Sequence, residues 1–193
     1  MRRFLPWIIG IGIVLIIIFW VIGAKNTALR YNQAVGKEWG NVETAYQRRN
    51  DLIGNLVNTV KGAADFEKST LTAVIEARAK ATSVSIDPTN ITPEQFAQFQ
   101  QAQSGVSSSL SRLLVSVERY PELKANGNFL KLQDELASTE NQILTSRTRF
   151  NESVEIYNGY VLAMPQSFVL GSYKEKPFFK SVEGADKPVE VKF

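Results

Sequence analysis

A chain of 193 residues has room for one membrane segment and one domain, and its 44% hydrophobic and 21% charged residues are an ordinary globular composition. The formal charge of +3 is concentrated at the start: of 22 basic residues Arg2 and Arg3 precede an apolar run, leaving 20 against 19 acidic ones, and no basic stripe with interleaved aromatics argues for nucleic-acid binding. The absence of cysteine and histidine removes disulfides, thiolate nucleophiles, zinc–thiolate sites, imidazole ligands and any Ser-His-Asp triad, so no cofactor, no metal and no catalytic residue is expected.

From Phe4 to Ala24 the chain carries no charge. Roughly 20 helical residues cross the ~30 Å hydrocarbon core of a bilayer. Trp7 and Trp20 sit near the two ends of the run, where indole rings favour the interface. A cleaved signal peptide has a shorter apolar core and a small-residue cleavage site, and Ile22-Gly23-Ala24 is a poor one. Residues 1–25 are therefore expected to be a retained single-pass anchor, touching lipid through residues 4–24. Arg2 and Arg3 favour an N-terminus inside and a domain on the extracytoplasmic side, a preference that Lys25 and Arg30 weaken.

Beyond the anchor, Val35, Trp39, Val42, Tyr46, Arg49, Ile53, Leu56, Val60 and Ala63 follow Asn32 in alternating steps of three and four. Such a seam over about four heptads predicts a long bundle helix, and nothing between Ala24 and Tyr31 would stop it running continuously from the anchor. Only Asn32 and Arg49 interrupt its apolar character, and Gly62 is the expected bend. A shorter helix with Phe66, Thr70, Val74, Ala77 and Ala81 on one side is expected to start from Asp65 as N-cap. Pro88 and Pro93 break the pattern, and Thr92-Pro93-Glu94-Gln95 reads as an N-cap, a proline at N1 and a capping-box glutamine.

The next helix carries Phe96, Phe99, Gln103, Val106, Leu110, Leu113, Val117 and Tyr120 along one face, and Pro121 stops it. From Gln95 to Ser111 it is uncharged, which suits either a solvated face or a surface that meets another protein without electrostatic steering. The last long helix is expected from near Asn126, with Phe129, Leu132, Leu136, Glu140, Ile143, Arg147, Phe150, Val154, Tyr157, Val161 and Met164 as its seam, and Pro165 as its end. The following segment, including Phe168, Leu170, Phe178 and Phe179, is too apolar for a free tail, so its first half should fold back on the bundle, while residues from about Ser181 are expected to be mobile. The expected architecture is all-α: a transmembrane helix, then over residues 26–180 an elongated antiparallel up-and-down bundle of three long helices and one shorter one, then a tail over residues 181–193.

The stretches "RRNDLIGNLVNTVKG", "IEARA", "ENQ" and "RFNESVEIYN", in this order behind an N-terminal anchor, resemble the LemA family, and "FLKLQDELASTENQI" is similar to its second signature. The resemblance runs from Tyr31 to Phe179. One departure is Gly54, where the family usually has proline. The resemblance implies a membrane-anchored bacterial protein built on an antiparallel helical bundle, with no assigned enzymatic activity and no catalytic residues to carry over.

The adjacent arginines point about 100° apart on a helix, so the seam phase turns Arg49 inward and Arg48 and Asp51 to the flanks. A buried arginine needs a partner, and Glu140 is the first choice, with Asp134 and Glu135 in reserve; Arg147 would look to Glu38 or Glu43. Three roles compete: residues that fix helix register, a docking patch around Arg48 and Asp51, or acid–base chemistry by Asp51 or Glu140. Tyr31-Asn32 and Tyr157-Asn158 are expected together at the membrane-proximal end. The leading functional expectation is a non-enzymatic helical-rod scaffold or adaptor for envelope proteins, with protein partners or a homo-oligomer; the alternative is a module sensing a ligand or peptide in a groove between helices.

Overall fold

The first helix settles the shape of the molecule. In the computed structural model, which describes residues 5–62 and 66–180, α1 runs unbroken over Leu5–Lys61, roughly 85 Å at 1.5 Å per residue. Its N-terminal part is long and apolar enough to cross a membrane. No proline interrupts it beyond Pro6, it passes through Gly54 as regular helix, and it ends just before Gly62.

The remaining elements return and advance along this rod. They are α2 (Lys68–Ser83), α3 (Pro93–Val117), a single turn α4 (Pro121–Lys124), α5 (Gly127–Leu162) and a 3-10 turn over Gln166–Phe168. The described residues are all-α and contain no strand. At the end far from the anchor the rings of Phe66 and Tyr120 lie 4.8 Å apart, and at the near end those of Tyr31 and Tyr160 lie 5.3 Å apart. The helices therefore alternate: α1 and α3 run outward, α2 and α5 run back, with α5 lying closely along α1 and α2 along α3.

Local sequence places the boundaries. The Thr92 hydroxyl accepts from the Gln95 amide at 3.2 Å with Pro93 in the first turn, which caps α3. Asn126 Oδ1 accepts from the amides of Asn128 and Phe129 and starts α5. α3 ends at Val117, earlier than the expected stop at Pro121, so Tyr120 lies beyond it and caps the extra turn α4 that Pro121 opens. The start of α2 differs from expectation: Lys68 is its first residue and Glu67 occupies the capping position, so the helix begins later than a cap at Asp65 would put it. Asp65, Ala63 and the expected mobile tail from Ser181 lie outside the described residues.

Every seam position of α1 from Val35 to Val60 is buried, and α3 buries its predicted face from Phe96 to Val117. The buried side chains form two cores. The membrane-proximal one gathers Trp39, Phe96, Phe99, Phe150 and Phe179 in edge-to-face and stacked contacts. The distal one is built from aliphatic residues of α1 to α3 together with Phe66, Leu123, Phe129 and Leu136. On α5 the expected seam is buried at Phe129, Leu136, Ile143, Phe150, Val154, Tyr157 and Val161, with a local departure in the middle. Thr139 is fully buried while Glu140, one residue on, reaches the surface. Met164 and Phe168, both assigned to packing by the sequence, are 75% and 77% exposed, because α5 ends at Leu162 and the chain turns away from its seam.

The segment after this turn does fold back. Leu170 and Phe179 are buried, and residues 174–180 lie extended along α5 in the opposite direction. Asn158 Nδ2 donates to the Lys176 carbonyl and its Oδ1 accepts from the Lys176 amide, both at 2.9 Å. Asn151 holds Phe179 in the same way, at 2.9 and 2.8 Å. The spacing explains the match: seven helical residues rise about 10.5 Å, and three extended residues advance about 10 Å. Two asparagines on one helix face therefore serve as the pairing edge for an extended strap.

Candidate functional site: a polar layer and its flanking grooves

Between the two cores lies one layer of polar side chains. Arg49 is only 2% exposed. Its Nη1 donates to Glu140 Oε1 and to Ser107 Oγ, each at 3.1 Å, and its Nη2 donates to the side-chain and backbone oxygens of Gln103. The Tyr46 ring covers the guanidinium at 4.9 Å. Burial there raises the pKa of the Tyr46 phenol, against the lowering influence of Arg147 and Arg49. The layer thus ties α1 to α3 and α5 at a single height. The pairing expected between Arg49 and Glu140 is present, and Gln103 and Ser107 were additional partners that the sequence reading did not assign.

Arg147 is placed differently from expectation. It pairs with neither Glu38 nor Glu43: its Nη2 donates to the Lys180 carbonyl at 3.0 Å and its guanidinium lies 4.7 Å over the Phe179 ring. The cause is the strap, which brings Phe179 and Lys180 over the face of α5 that Arg147 shares with Asn151. Arg147 therefore clasps the strap. The sequence signal for this was two asparagines seven residues apart, each carrying one donor and one acceptor.

Arg48 and Asp51 are both exposed, away from Arg49. They line a groove of about 620 Å³ between α1, the end of α2 and α3, with Phe99, Leu52 and Val84 as apolar walls. Asp51 accepts from Gln47 Nε2 at 3.0 Å. On the floor Asn50 is buried, and its Oδ1 has no protein partner. Arg48 also borders a second, mostly uncharged groove of about 520 Å³ between α1 and α5, with Arg149 on the opposite wall. Glu140 faces neither; it lines a third groove, between α3 and α5. Asp51 and Glu140 therefore do not converge, and among the described residues no three acidic side chains come together to hold a metal.

Near the anchor, Tyr31 packs edge-on against Tyr160. Tyr157 instead donates its hydroxyl to the Lys174 carbonyl, and burial pushes its phenol up to about 12. Lys176 is buried beside it, donating through Nζ to the carbonyls of Pro88 and Thr89. Burial lowers the pKa of its ammonium, partly offset by Asp87, whose own carboxyl is held low by the hydroxyl and amide of Thr89.

This architecture has relatives. The chain is 23% identical over 143 residues to Protein LemA of Metamycoplasma hominis, covering 74% of this chain and 62% of that protein. It is 24% identical over 178 residues to Magnetosome protein MamQ of Magnetospirillum gryphiswaldense, covering 82% of this chain and 65% of that one. Against Magnetosome protein MamQ 1 of Paramagnetospirillum magneticum it is 22% identical over 183 residues, 85% of this chain and 67% of the relative. The chain thus spans less than two thirds of the LemA relative's length. The profile of the LemA family matches residues 38–193, which takes in the polar layer, most of both cores and the strap, and on that match the chain belongs to the LemA family.

Proposed function

We propose that the protein is a non-enzymatic, single-pass membrane scaffold or adaptor for other proteins of the cell envelope. The observation that carries this reading is the continuity of α1, which makes the candidate membrane span and the longest strut of the bundle one element. A partner bound to the rod is then held at a set height above the lipid. The α3 surface offers a contact face for it: Gln98, Gln101 and Ser108 are exposed within an uncharged stretch. The separation of Asp51 from Glu140 and the lack of histidine and cysteine support a role without catalysis. The MamQ relatives are named for a magnetosome, an assembly and not a reaction, which agrees with that role.

We place the bundle on the extracytoplasmic side, following Arg2 and Arg3. Photo-reactive residues at Gln98, Gln101 and Ser108 in native membranes, followed by mass spectrometry, test the reading. One recurrent foreign partner is expected; crosslinks only between copies would replace the adaptor by a homo-oligomeric scaffold. The groove beside Arg48 and Asp51 favours a second reading, a module that senses a peptide or small ligand, since it combines both charge signs with an apolar wall. Loss of cellular function in Arg48→Ala with unchanged melting would favour it.

A further inference from the structure

We propose that the turn joining α5 to the strap is a second membrane contact, a foot that dips into the bilayer interface beside α1 through Leu162, Met164 and Phe168. The three side chains are 54%, 75% and 77% exposed, although the sequence pattern around them is that of a core. Their position explains what covers them. Tyr160 Oη lies 3.4 Å from the Ala24 carbonyl, at the end of the uncharged run of α1. Helical side chains lean toward their own N-terminus, and α5 runs toward the anchor, so the Tyr160 backbone lies at least as close to the anchor as its hydroxyl. The residues that follow continue in the same direction.

The packing on α1 agrees. Inside the uncharged run of α1 Val21 is half-buried and Ala24 buried, one helical turn apart. Composition agrees independently: from Ile156 to Tyr173 there is no charged residue, and Lys174 follows at once. An exposed apolar turn level with the end of a membrane span, uncharged throughout and bordered by tyrosines and a lysine, has the chemistry of a lipid interface. The occupant is therefore the lipid of the bilayer that α1 crosses.

The proposal rests on reading the start of α1 as a membrane span, and one experiment separates the two. The chain has no cysteine, so single cysteines carry a spin label without competition. Labels go at Met164, Phe168, Ile13 and Ser108 of the full chain in phosphatidylcholine vesicles at high lipid-to-protein ratio. Collision with oxygen, which concentrates in lipid, is compared with collision with a water-soluble nickel chelate. The expected oxygen-to-nickel ratio at 164 and 168 is several-fold above that at 108 and below that at 13. Aqueous values at 164 and 168 with a lipid value at 13 would overturn the foot and leave the anchor standing. Aqueous values at all four positions would overturn both. Protection at 164 and 168 that disappears on dilution into more lipid would assign the turn to contact between copies and also overturn the proposal.

Discussion

Arg49 and Glu140 form a pair whose two ends sit in different surroundings. The guanidinium is almost fully buried, whereas the carboxylate side chain remains 47% exposed. Removing the carboxylate leaves a buried cation with only neutral partners; removing the cation leaves a carboxylate that water can solvate. Glu140→Ala is therefore expected to cost about 2 kcal/mol in chemical denaturation. Arg49→Met, which replaces the cation by a shorter unbranched apolar chain, is expected to lie within about 1 kcal/mol of the parent. The reverse order would mean that the layer is held by Gln103 and Ser107 rather than by charge. Tyr157 gives a pH signature. Its folded pKa of about 12 lies above the ordinary phenol value of 10.0, so the native state keeps the proton longer. That contribution is intact below pH 10 and is lost as pH rises through about 12. Lys176 works the other way, since its lowered pKa adds stability as pH rises toward 10.5. Melting curves of Tyr157→Phe against the parent isolate the first effect: the variant should lose less stability between pH 10 and 12.

Among the elements, the strap depends on two side-chain amides. Asn158→Ala strands the amide and carbonyl of Lys176 in a buried site, and a loss of about 2 kcal/mol is expected. Faster proteolysis within residues 174–180 should accompany it, because the strap would open before the bundle does. In α1, a methyl group at Gly54 would meet the end of the Arg78 guanidinium at 3.3 Å, a flexible group able to shift. Gly54→Ala should therefore retain most of the helix-propensity gain and stabilise by up to about 1 kcal/mol in thermal melts. The helices themselves were legible because each has one partner face with a three-four period, and the phase on α1 placed Arg49 inside without further information. That the segment after α5 folds back was legible from its apolar residues; its pairing to Asn158 and Asn151 was not, since an extended segment paired to side chains has no period of its own. The clasping of Arg147 by strap residues and the exposure of Met164 and Phe168 were hidden for the same reason: both depend on where the chain goes after Leu162. On α5 the departure is local: Thr139 is buried in place of Glu140, while Leu136, Ile143, Phe150, Val154, Tyr157 and Val161 keep the expected seam.

For the whole molecule, the unbroken α1 has a geometric consequence. Counted from Ala24, the Arg49 layer stands roughly 38 Å above the end of the span and the tip of α1 roughly 55 Å above it. Distance from the bilayer is thereby written into residue number. With α5 packed along the same strut, a tilt or rotation of the transmembrane part swings the grooves and the α3 face with it, through an arc that grows with height. A protein seated close to the lipid meets only the tyrosines and the turn after α5. One that projects several nanometres from the bilayer meets the Arg48 groove. Under the proposed scaffold role, neighbours would be told apart by how far they stand from the membrane before any side chain recognises them.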